Sequence, residues 1–467
     1  MGRHPEPLGR LPGAYHAGLA LAASGEEREA LLRRWAEAAD AAGAFPEWFP
    51  GERSFCATAY SAGYALEALE RGADPSGEVV RTAERAVRWL GRQPPPEDAN
   101  QVSAALVAAA LLWRRTGQGG VGRCAARFAA ALGSLRMPEG WFRERGGFDA
   151  GYGTLTLSNL VRAARATDWP TLHRWARDAE ASLLRLLPWA DPSPWEVWSR
   201  ETAFLLPGAS PAWNAALGRT SHGEWDGWDA RYAAFFAAPQ RAIAGRAGAA
   251  PPRECGRWTG VVAGTWWFED PGRWVVGLAK GGTVRWIPPG GDGALLDLGY
   301  VLLDRRGGAW TTRNALACWR GGPERGFEIW VPAVRAATRF PPPAWCVVLG
   351  ALISRGAAAD PVSRLARRWA ARTPRAAVWL RRRIRAVAGG LRVEDRFVGL
   401  RGRRISLHLN RGEAGPTSPV ARRGPGVGTE TWVREALSEG DRERLMRGLP
   451  LRWGIAYTNR RAASQAA

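Results

Sequence analysis

The segment from Glu139 to Arg165 contains the side chains of this chain that are best placed to do chemistry. It opens with the run Trp141-Phe142-Arg143-Glu144-Arg145 and continues through two glycines to Asp149, Gly151 and Tyr152. Leu157, Leu160, Val161 and Ala164 then repeat with the spacing of one buried helix face. Tyr152 is therefore predicted where a glycine-rich loop enters a helix, which is a common position for chemistry. The alternative is a loop that caps the helix and buries its aromatic side chains.

Further polar candidates lie in other predicted loops and helix starts. Asn100 and Gln101 open a predicted helix, and Asn100 could equally be its N-cap. Arg200 and Glu201 follow a proline-rich loop, and His222 precedes Trp225 in a segment that also holds two carboxylates. Paired carboxylates, Glu139 with Glu144 or Glu224 with Asp226, could serve a glycoside hydrolase.

Many of the 26 tryptophans lie beside polar residues in predicted loops. Trp48, Trp141 and Trp225 are examples, whereas Trp35 falls on an apolar helix stripe that is typical of a core position. Flat aromatic rings beside amides and arginines are suited to stacking on sugar rings. The alternative for each of them is aromatic packing between helical hairpins.

The net charge of the chain does not by itself identify a class of binding partner. The 467 residues carry a formal charge of +21, but Lys280 is the only lysine and the arginines are scattered. No zinc-finger, RNP-like or basic-zipper pattern occurs, so nucleic acid is not predicted as a partner. No metal-ligand spacing, P-loop or dinucleotide fingerprint occurs, so neither a metal nor a cofactor is predicted. No apolar run is long enough for a membrane span, and no signal peptide is recognised. These features predict a cytoplasmic protein, or a periplasmic one if a leader is missing.

The pattern of apolar residues changes near residues 245–252, a small, proline-containing stretch. Before it, apolar stripes of helical period predict about eight to ten short helices. After it, short β-branched and aromatic runs, among them residues 273–278, 284–287 and 391–397, predict strands. The fold class is therefore α+β with two domains, helical over residues 1–245 and an antiparallel β-sandwich over residues 246–467. The helices suit a solenoid or a closed (α/α) toroid, and the absence of a fixed-period repeat favours the toroid, which is possibly incomplete.

Three stretches resemble the heparinase II/III-like and alginate-lyase-like polysaccharide lyases. EGWFRERGGFDAGYGTLTLSNL resembles the segment that holds the family tyrosine, and WVVGLAKGGTVRWI resembles an early strand pair of the β domain. LRVEDRFVGLRGRRISLHLN resembles a Val-x-Asp-x-aromatic strand and the strand that follows it. The resemblance implies a helical toroid followed by a β-sandwich, and β-elimination on a uronate-containing, acidic polysaccharide.

The resemblance also assigns roles to residues of this chain. Tyr152 matches the family tyrosine, and Asn100 or Gln101 would neutralise the substrate carboxylate. Arg200, with Arg143 or Arg145, would bind the acidic substrate through paired hydrogen bonds; Glu201, Trp48, Trp141 and Trp225 are further candidates for substrate contacts.

The chain departs from the family in one respect, because no histidine lies beside Asn100. His222 is the best replacement. A lyase that uses Tyr152 alone, a hydrolase, and a non-catalytic glycan-binding protein of an exopolysaccharide pathway stay open as alternatives.

Overall fold

A computed structural model describes most of residues 16–185 and a series of shorter ranges beyond them. The described ranges are 16–47, 49–72, 74, 77–144, 147–185, 260–262, 264–269, 273–287, 295–297, 299–304, 309–312, 317–335, 343–354, 358–371, 378–387, 390–398, 405–409 and 451–458. Within them the chain is α+β, as the sequence predicts, with ten helices and three antiparallel sheets.

The helices are α1 His16–Ala22, α2 Gly25–Ala38, α3 Phe55–Leu69, α4 Glu78–Arg92, α5 Ala99–Thr116, α6 Gly119–Ser134, α7 Ala150–Thr167, α8 Pro170–Leu184, α9 Pro343–Ser354 and α10 Ala359–Ala371. None of these described helices is long and apolar enough to cross a membrane.

The first eight helices form successive hairpins in two layers. α1, α3, α5 and α7 lie side by side, and each packs against the helix that follows it in the chain. α3, α5 and α7 are buried on nearly all sides, whereas α4, α6 and α8 each bury one face. Small residues make this possible, because a Cβ added at Gly63 of α3 would meet Val107 of α5 at 3.4 Å. The apolar residues of α3 surround the helix and form no stripe, so the sequence pattern did not predict it.

The strands are β1 Gly260–Val262, β2 Thr265–Glu269, β3 Arg273–Gly277, β4 Thr283–Ile287, β5 Leu295–Asp297, β6 Tyr300–Asp304, β7 Ala309–Thr311, β8 Cys318–Gly322, β9 Gly326–Pro332, β10 Val334–Arg335, β11 Trp379–Val387, β12 Gly390–Val398, β13 Ile405–Leu409 and β14 Leu451–Thr458. They form sheet A in the order β1-β2-β3-β4-β5, sheet B in the order β14-β12-β11-β9-β8, and sheet C in the order β10-β7-β6-β13.

Sheets A and B share one apolar core, and sheet A also contacts the helices. Trp266 of sheet A packs on Phe327 of sheet B with ring centroids 4.9 Å apart. Trp267 and Val275, which are paired on β2 and β3, belong instead to the core of the helical hairpins. The two faces of a strand alternate along the chain, so sheet A is buried on both faces.

The second half of the chain is not built from strands alone. α9 and α10 form a helical hairpin whose Leu349 packs on Phe49 of the first half. Arg53 joins the two halves further, with ion pairs to Asp40 at 2.5 Å and to Asp360 of α10 at 3.0 Å. The sequence analysis predicted neither helix, and for α9 the reason is that its apolar residues show no helical period. The domain boundary predicted at residues 245–246 lies outside the described residues.

Candidate functional site

The loop between α6 and α7 places the buried carboxylate of Glu144 at the N-terminal turn of α5. Arg143 donates its backbone N–H to Leu135 at 2.8 Å, and its backbone carbonyl accepts from Ala99 at 3.3 Å. Glu144 and Gly147 exchange backbone hydrogen bonds at 2.9 Å in each direction. This arrangement holds the loop across the N-terminal turn of α5 and directs Glu144 inward, where it is 1% exposed.

Asn100 binds the carboxylate of Glu144 with two donors. Its backbone N–H lies 2.9 Å from Oε1 of Glu144, and its side-chain Nδ2 lies 2.6 Å from Oε2. Thr156 of α7 lies 3.5 Å from Oε1. The N-cap of α5 is Asp98, so the alternative that Asn100 is the N-cap is wrong. Asn100 is the second residue of the helix, and its side chain is turned to Glu144 and not back to the helix backbone.

The other side of Asn100 is covered by polar groups from α3 and α7. The hydroxyl of Tyr60 lies 3.0 Å from the backbone carbonyl oxygen of Asn100 and 3.1 Å from its Oδ1, so its single proton is shared between these two acceptors. Asn159 donates to that carbonyl at 3.4 Å and to the hydroxyl of Ser103 at 3.0 Å. Asn100, Glu144, Tyr60, Ser103 and Asn159 are all buried. We call these five residues the polar cluster.

An ion pair between Arg162 and Glu67 lies next to Asn159 of the polar cluster. Arg162 donates to Oδ1 of Asn159 at 3.1 Å, and its other terminal nitrogen bonds Glu67 of α3. The guanidinium also lies over the ring of Tyr64, 5.2 Å from its centroid. A buried arginine needs such partners, because an uncompensated charge is costly away from water.

Tyr152 lies on the same face of α7 as two residues that contact the polar cluster. It stands in the first turn of α7, and Tyr152, Thr156 and Asn159 follow one another at i, i+4 and i+7, so they share one face of the helix. Thr156 reaches Glu144 and Asn159 reaches Asn100. Tyr152 is half-buried, whereas the residues behind it are buried. Tyr152 therefore lies one helix turn before Thr156 on this face and is partly accessible to solvent.

A lysine from sheet A meets the start of α7. Asp149 is the N-cap of α7, where its Oδ1 accepts the backbone N–H of Tyr152 at 3.0 Å. Its Oδ2 lies 3.8 Å from Nζ of Lys280, and both side chains are at most 3% exposed. Lys280 belongs to the turn between β3 and β4, in which Gly281 and Gly282 have φ of 74° and 68°. A Cβ at Gly281 would lie 2.2 Å from the carbonyl of Thr312, so this turn requires glycine.

The structure brings together several of the residues that the sequence analysis singled out. Tyr152, Asn100, Gln101 and Arg143 all lie around the ends of α5 and α7, with Gln101 half-buried and Arg143 exposed. Trp141 is 7% exposed and packs edge-on to Phe148 with ring centroids 5.5 Å apart. Because its ring is enclosed by the helical core, this position does not support the prediction that Trp141 stacks on a sugar.

The remaining predicted site residues are Trp48, Arg145, Arg200, Glu201, His222 and Trp225, and they lie outside the described residues. The described histidine His173 is remote from Tyr152. His173 contacts Asp168, the C-cap of α7, at 3.2 Å, and the rise per residue puts this end of the helix about 24 Å from Tyr152. His16 lies on α1. Within the described residues no group of three or more His, Cys, Asp and Glu side chains could hold a metal ion.

Sequence reasoning gave no role to four residues of this site: Tyr60, Asn159, Arg162 and Lys280. Asn159 could have been predicted from the sequence, because it lies two turns after Tyr152 on the same helix face. Burial, followed by the influence of Tyr64, Cys56 and Glu144, raises the pKa of Tyr60 well above its usual value. Tyr60 therefore stays protonated and acts as a hydrogen-bond donor.

A scan against models of protein families gives no match to this chain, and a search of curated proteins finds no similar sequence.

Proposed function

We propose that this chain is a polysaccharide lyase that cleaves an acidic, uronate-containing polysaccharide by β-elimination. The helical hairpins would then belong to an (α/α) toroid, and sheets A and B to a β-sandwich, as the resemblance implies. The observation that carries the proposal is the carboxylate of Glu144, which is bound by the backbone N–H and the side-chain amide of Asn100. This end of the helical array is chemically suited to carboxylates, and Tyr152 lies beside it.

The substrate carboxylate needs a donor that is not already engaged. The proton at C5 of a uronate is weakly acidic, and hydrogen bonds to the adjacent carboxylate stabilise the charge that develops when it leaves. The amide of Asn100 is held by Glu144. We therefore assign this task to Gln101, the next residue of α5, and assign a neighbouring substrate carboxylate to Arg143, which is exposed at the rim.

Tyr152 would serve as both base and acid. As tyrosinate it takes the C5 proton, and the electron pair of that bond forms the C4–C5 double bond while the bond from C4 to the glycosidic oxygen breaks. The phenol then returns its proton to the leaving oxygen, so the enzyme is regenerated without a histidine. Tyr60 cannot take this role, because its raised pKa keeps it protonated.

The proposal is tested by incubating the folded chain with a panel of polyuronates that differ in sugar and linkage. A lyase produces an unsaturated uronate, which absorbs in the ultraviolet, together with one new reducing end for each cleavage. New reducing ends without this absorbance would identify a hydrolase instead. Neither signal across the panel would refute the lyase proposal.

A second function is favoured by the burial of the polar cluster. Asn100 is 4% exposed and its amide is already occupied by an internal carboxylate. A chain with this arrangement could bind acidic glycans without cleaving them. Tight binding of a polyuronate with no release of product would support this alternative, and any turnover that depends on Tyr152 would exclude it.

A further inference from the structure

The outward face of sheet B is dominated by arginine. Along β9, β11 and β12 every second side chain points into the shared apolar core, as Ile329, Leu380 and Val393 do. The intervening positions point away from that core. On β8, β9, β11 and β12 they hold the residues that we call the arginine face: Arg320, Glu328, Trp330, Trp379, Arg381, Arg383, Arg385, Arg392, Glu394 and Arg396.

Positive charge exceeds negative charge on the arginine face. Its six arginines have two carboxylates among them, a difference of four charges. Glu328 is shared by Arg320, Arg381 and Arg383 at 2.9, 2.6 and 3.1 Å. Hydrogen bonds from Arg381, Trp330 and Arg383, that of Arg381 foremost, lower the pKa of Glu328 to about 2, so it is ionised at neutral pH.

The second carboxylate of the face, Glu394, is shared by Arg385 at 3.6 Å and Arg392 at 3.2 Å. For Arg396 the described residues supply no ion pair, and its Nε is buried without a hydrogen-bond partner among them. Both carboxylates are thus already divided between several arginines, and they leave a surplus of positive charge.

The register of the strands places like charges directly opposite each other. Arg381 pairs with Arg396, and Arg385 pairs with Arg392, across β11 and β12. Like charges at such positions destabilise a sheet. The side chains of Arg385 and Arg392 are 55% and 61% exposed, so an anion from solution can reach both. Glu394 supplies one negative charge for these two arginines, and an anion bound beside it would compensate the second positive charge.

The distribution of aromatic rings favours one kind of polyanion. Single-stranded nucleic acid is bound by a series of open aromatic rings on which successive bases stack. Trp330 is covered by the guanidinium of Arg381, which lies 5.2 Å from its ring centroid. Trp379, at one end of the face, is 40% exposed. A single open ring within the described part of the face does not form such a series. Guanidinium groups bind carboxylate or sulfate groups through two parallel hydrogen bonds and need no aromatic ring.

We propose that the arginine face binds acidic polysaccharide along sheet B, as a surface separate from the polar cluster. This surface goes beyond the lyase proposal, since binding at it requires no turnover. Bound polymer would be held through several ion pairs at once, so its binding should weaken steeply with salt.

The test measures binding of alginate and polygalacturonate to the full chain, with dextran and oligothymidylate as neutral and nucleic-acid probes. The variant Arg385→Ala/Arg392→Ala/Arg396→Ala should bind the two polyuronates roughly 3- to 125-fold more weakly, because each ion pair contributes a factor of about 1.4 to 5. Its folding should be preserved, because the repulsion between paired arginines is removed.

A matched control carries the same change of charge elsewhere. Arg33→Ala/Arg115→Ala/Arg123→Ala removes three exposed arginines of the helices and should bind within about twofold of the unmodified chain. Glu328→Gln should bind polyuronate more tightly, since it releases three arginines from their shared carboxylate.

Two results would overturn the proposal. One is equal weakening in the variant and the control, and the other is binding of oligothymidylate as tightly as polyuronate. Because the readout is binding, the outcome is distinct from that of the lyase proposal. Loss of polyuronate binding in the triple variant supports the surface whether or not product forms, whereas product formation with unchanged binding in the triple variant refutes the surface and supports the lyase.

Discussion

Replacing Glu144 by alanine tests whether the polar cluster fixes the start of α5. The change removes the acceptor of two buried donors, the backbone N–H and the Nδ2 group of Asn100, at 2.9 and 2.6 Å. Each buried donor left without a partner costs about 1–3 kcal/mol, which gives about 2–6 kcal/mol in total. The carboxylate is itself unfavourable to bury, and its removal offsets part of that cost. We therefore expect a loss of about 2–3 kcal/mol in the free energy of unfolding.

The assay is urea denaturation monitored by tryptophan fluorescence. The urea concentration at the midpoint of unfolding is compared between variants whose slope of free energy against urea is unchanged. Glu139→Ala is the matched control, because Glu139 is an exposed carboxylate of the same loop and should shift stability by at most about 0.5 kcal/mol. Hydrogen exchange supplies a local readout, since the backbone N–H of Asn100 should lose protection in Glu144→Ala. Equal stability of the two variants with unchanged exchange at Asn100 would refute the reasoning.

Three further changes test other contacts. Lys280→Met should lower the free energy of unfolding by about 3 kcal/mol, because it removes the cation that faces the buried carboxylate of Asp149. A double variant with Asp149→Asn should lose less than the sum of the single losses, and strict additivity would contradict the contact. The pKa of Tyr60 is raised by burial above its usual 10.0, so the unfolded chain releases this proton first and stability should fall as pH rises above about 10; an equally steep fall in Tyr60→Phe would argue against that cause. The pKa of Glu328 is lowered from its usual 4.5 to about 2, so its contribution is complete above about pH 4.5 and is lost as pH falls toward 2. The stabilities of Glu328→Gln and the unmodified chain should converge over that interval, and a constant difference would count against it.

Local sequence patterns predicted the elements that have a clear period or composition. The strand predictions at Arg273–Leu278, Val284–Ile287 and Leu391–Phe397 correspond to β3, β4 and β12, because β-branched and aromatic residues there are bounded by turn residues. α3 and α9 carry apolar residues on all sides and therefore show no stripe.

The candidate site was predictable only in part, because its contacts join distant segments. The position of Tyr152 at the start of α7 follows from the glycine-rich loop and the apolar stripe that comes after it. The contact between Asn100 and Glu144 joins residues that are 44 positions apart, and no local pattern encodes it. The same holds for Lys280 with Asp149, since the pairing depends on how sheet A docks on the helices.

The central claim is that Tyr152 performs β-elimination, and one comparison tests it most directly. The rate of unsaturated-product formation from a polyuronate is measured for the unmodified chain and for Tyr152→Phe, with Tyr64→Phe as a matched loss of one hydroxyl. Tyr152→Phe should retain the stability of the unmodified chain within about 1 kcal/mol, the worth of one hydrogen bond. Its rate should fall by about two to four orders of magnitude, the usual contribution of a positioned acid and base. A folded Tyr152→Phe variant that forms product as fast as Tyr64→Phe would contradict the claim.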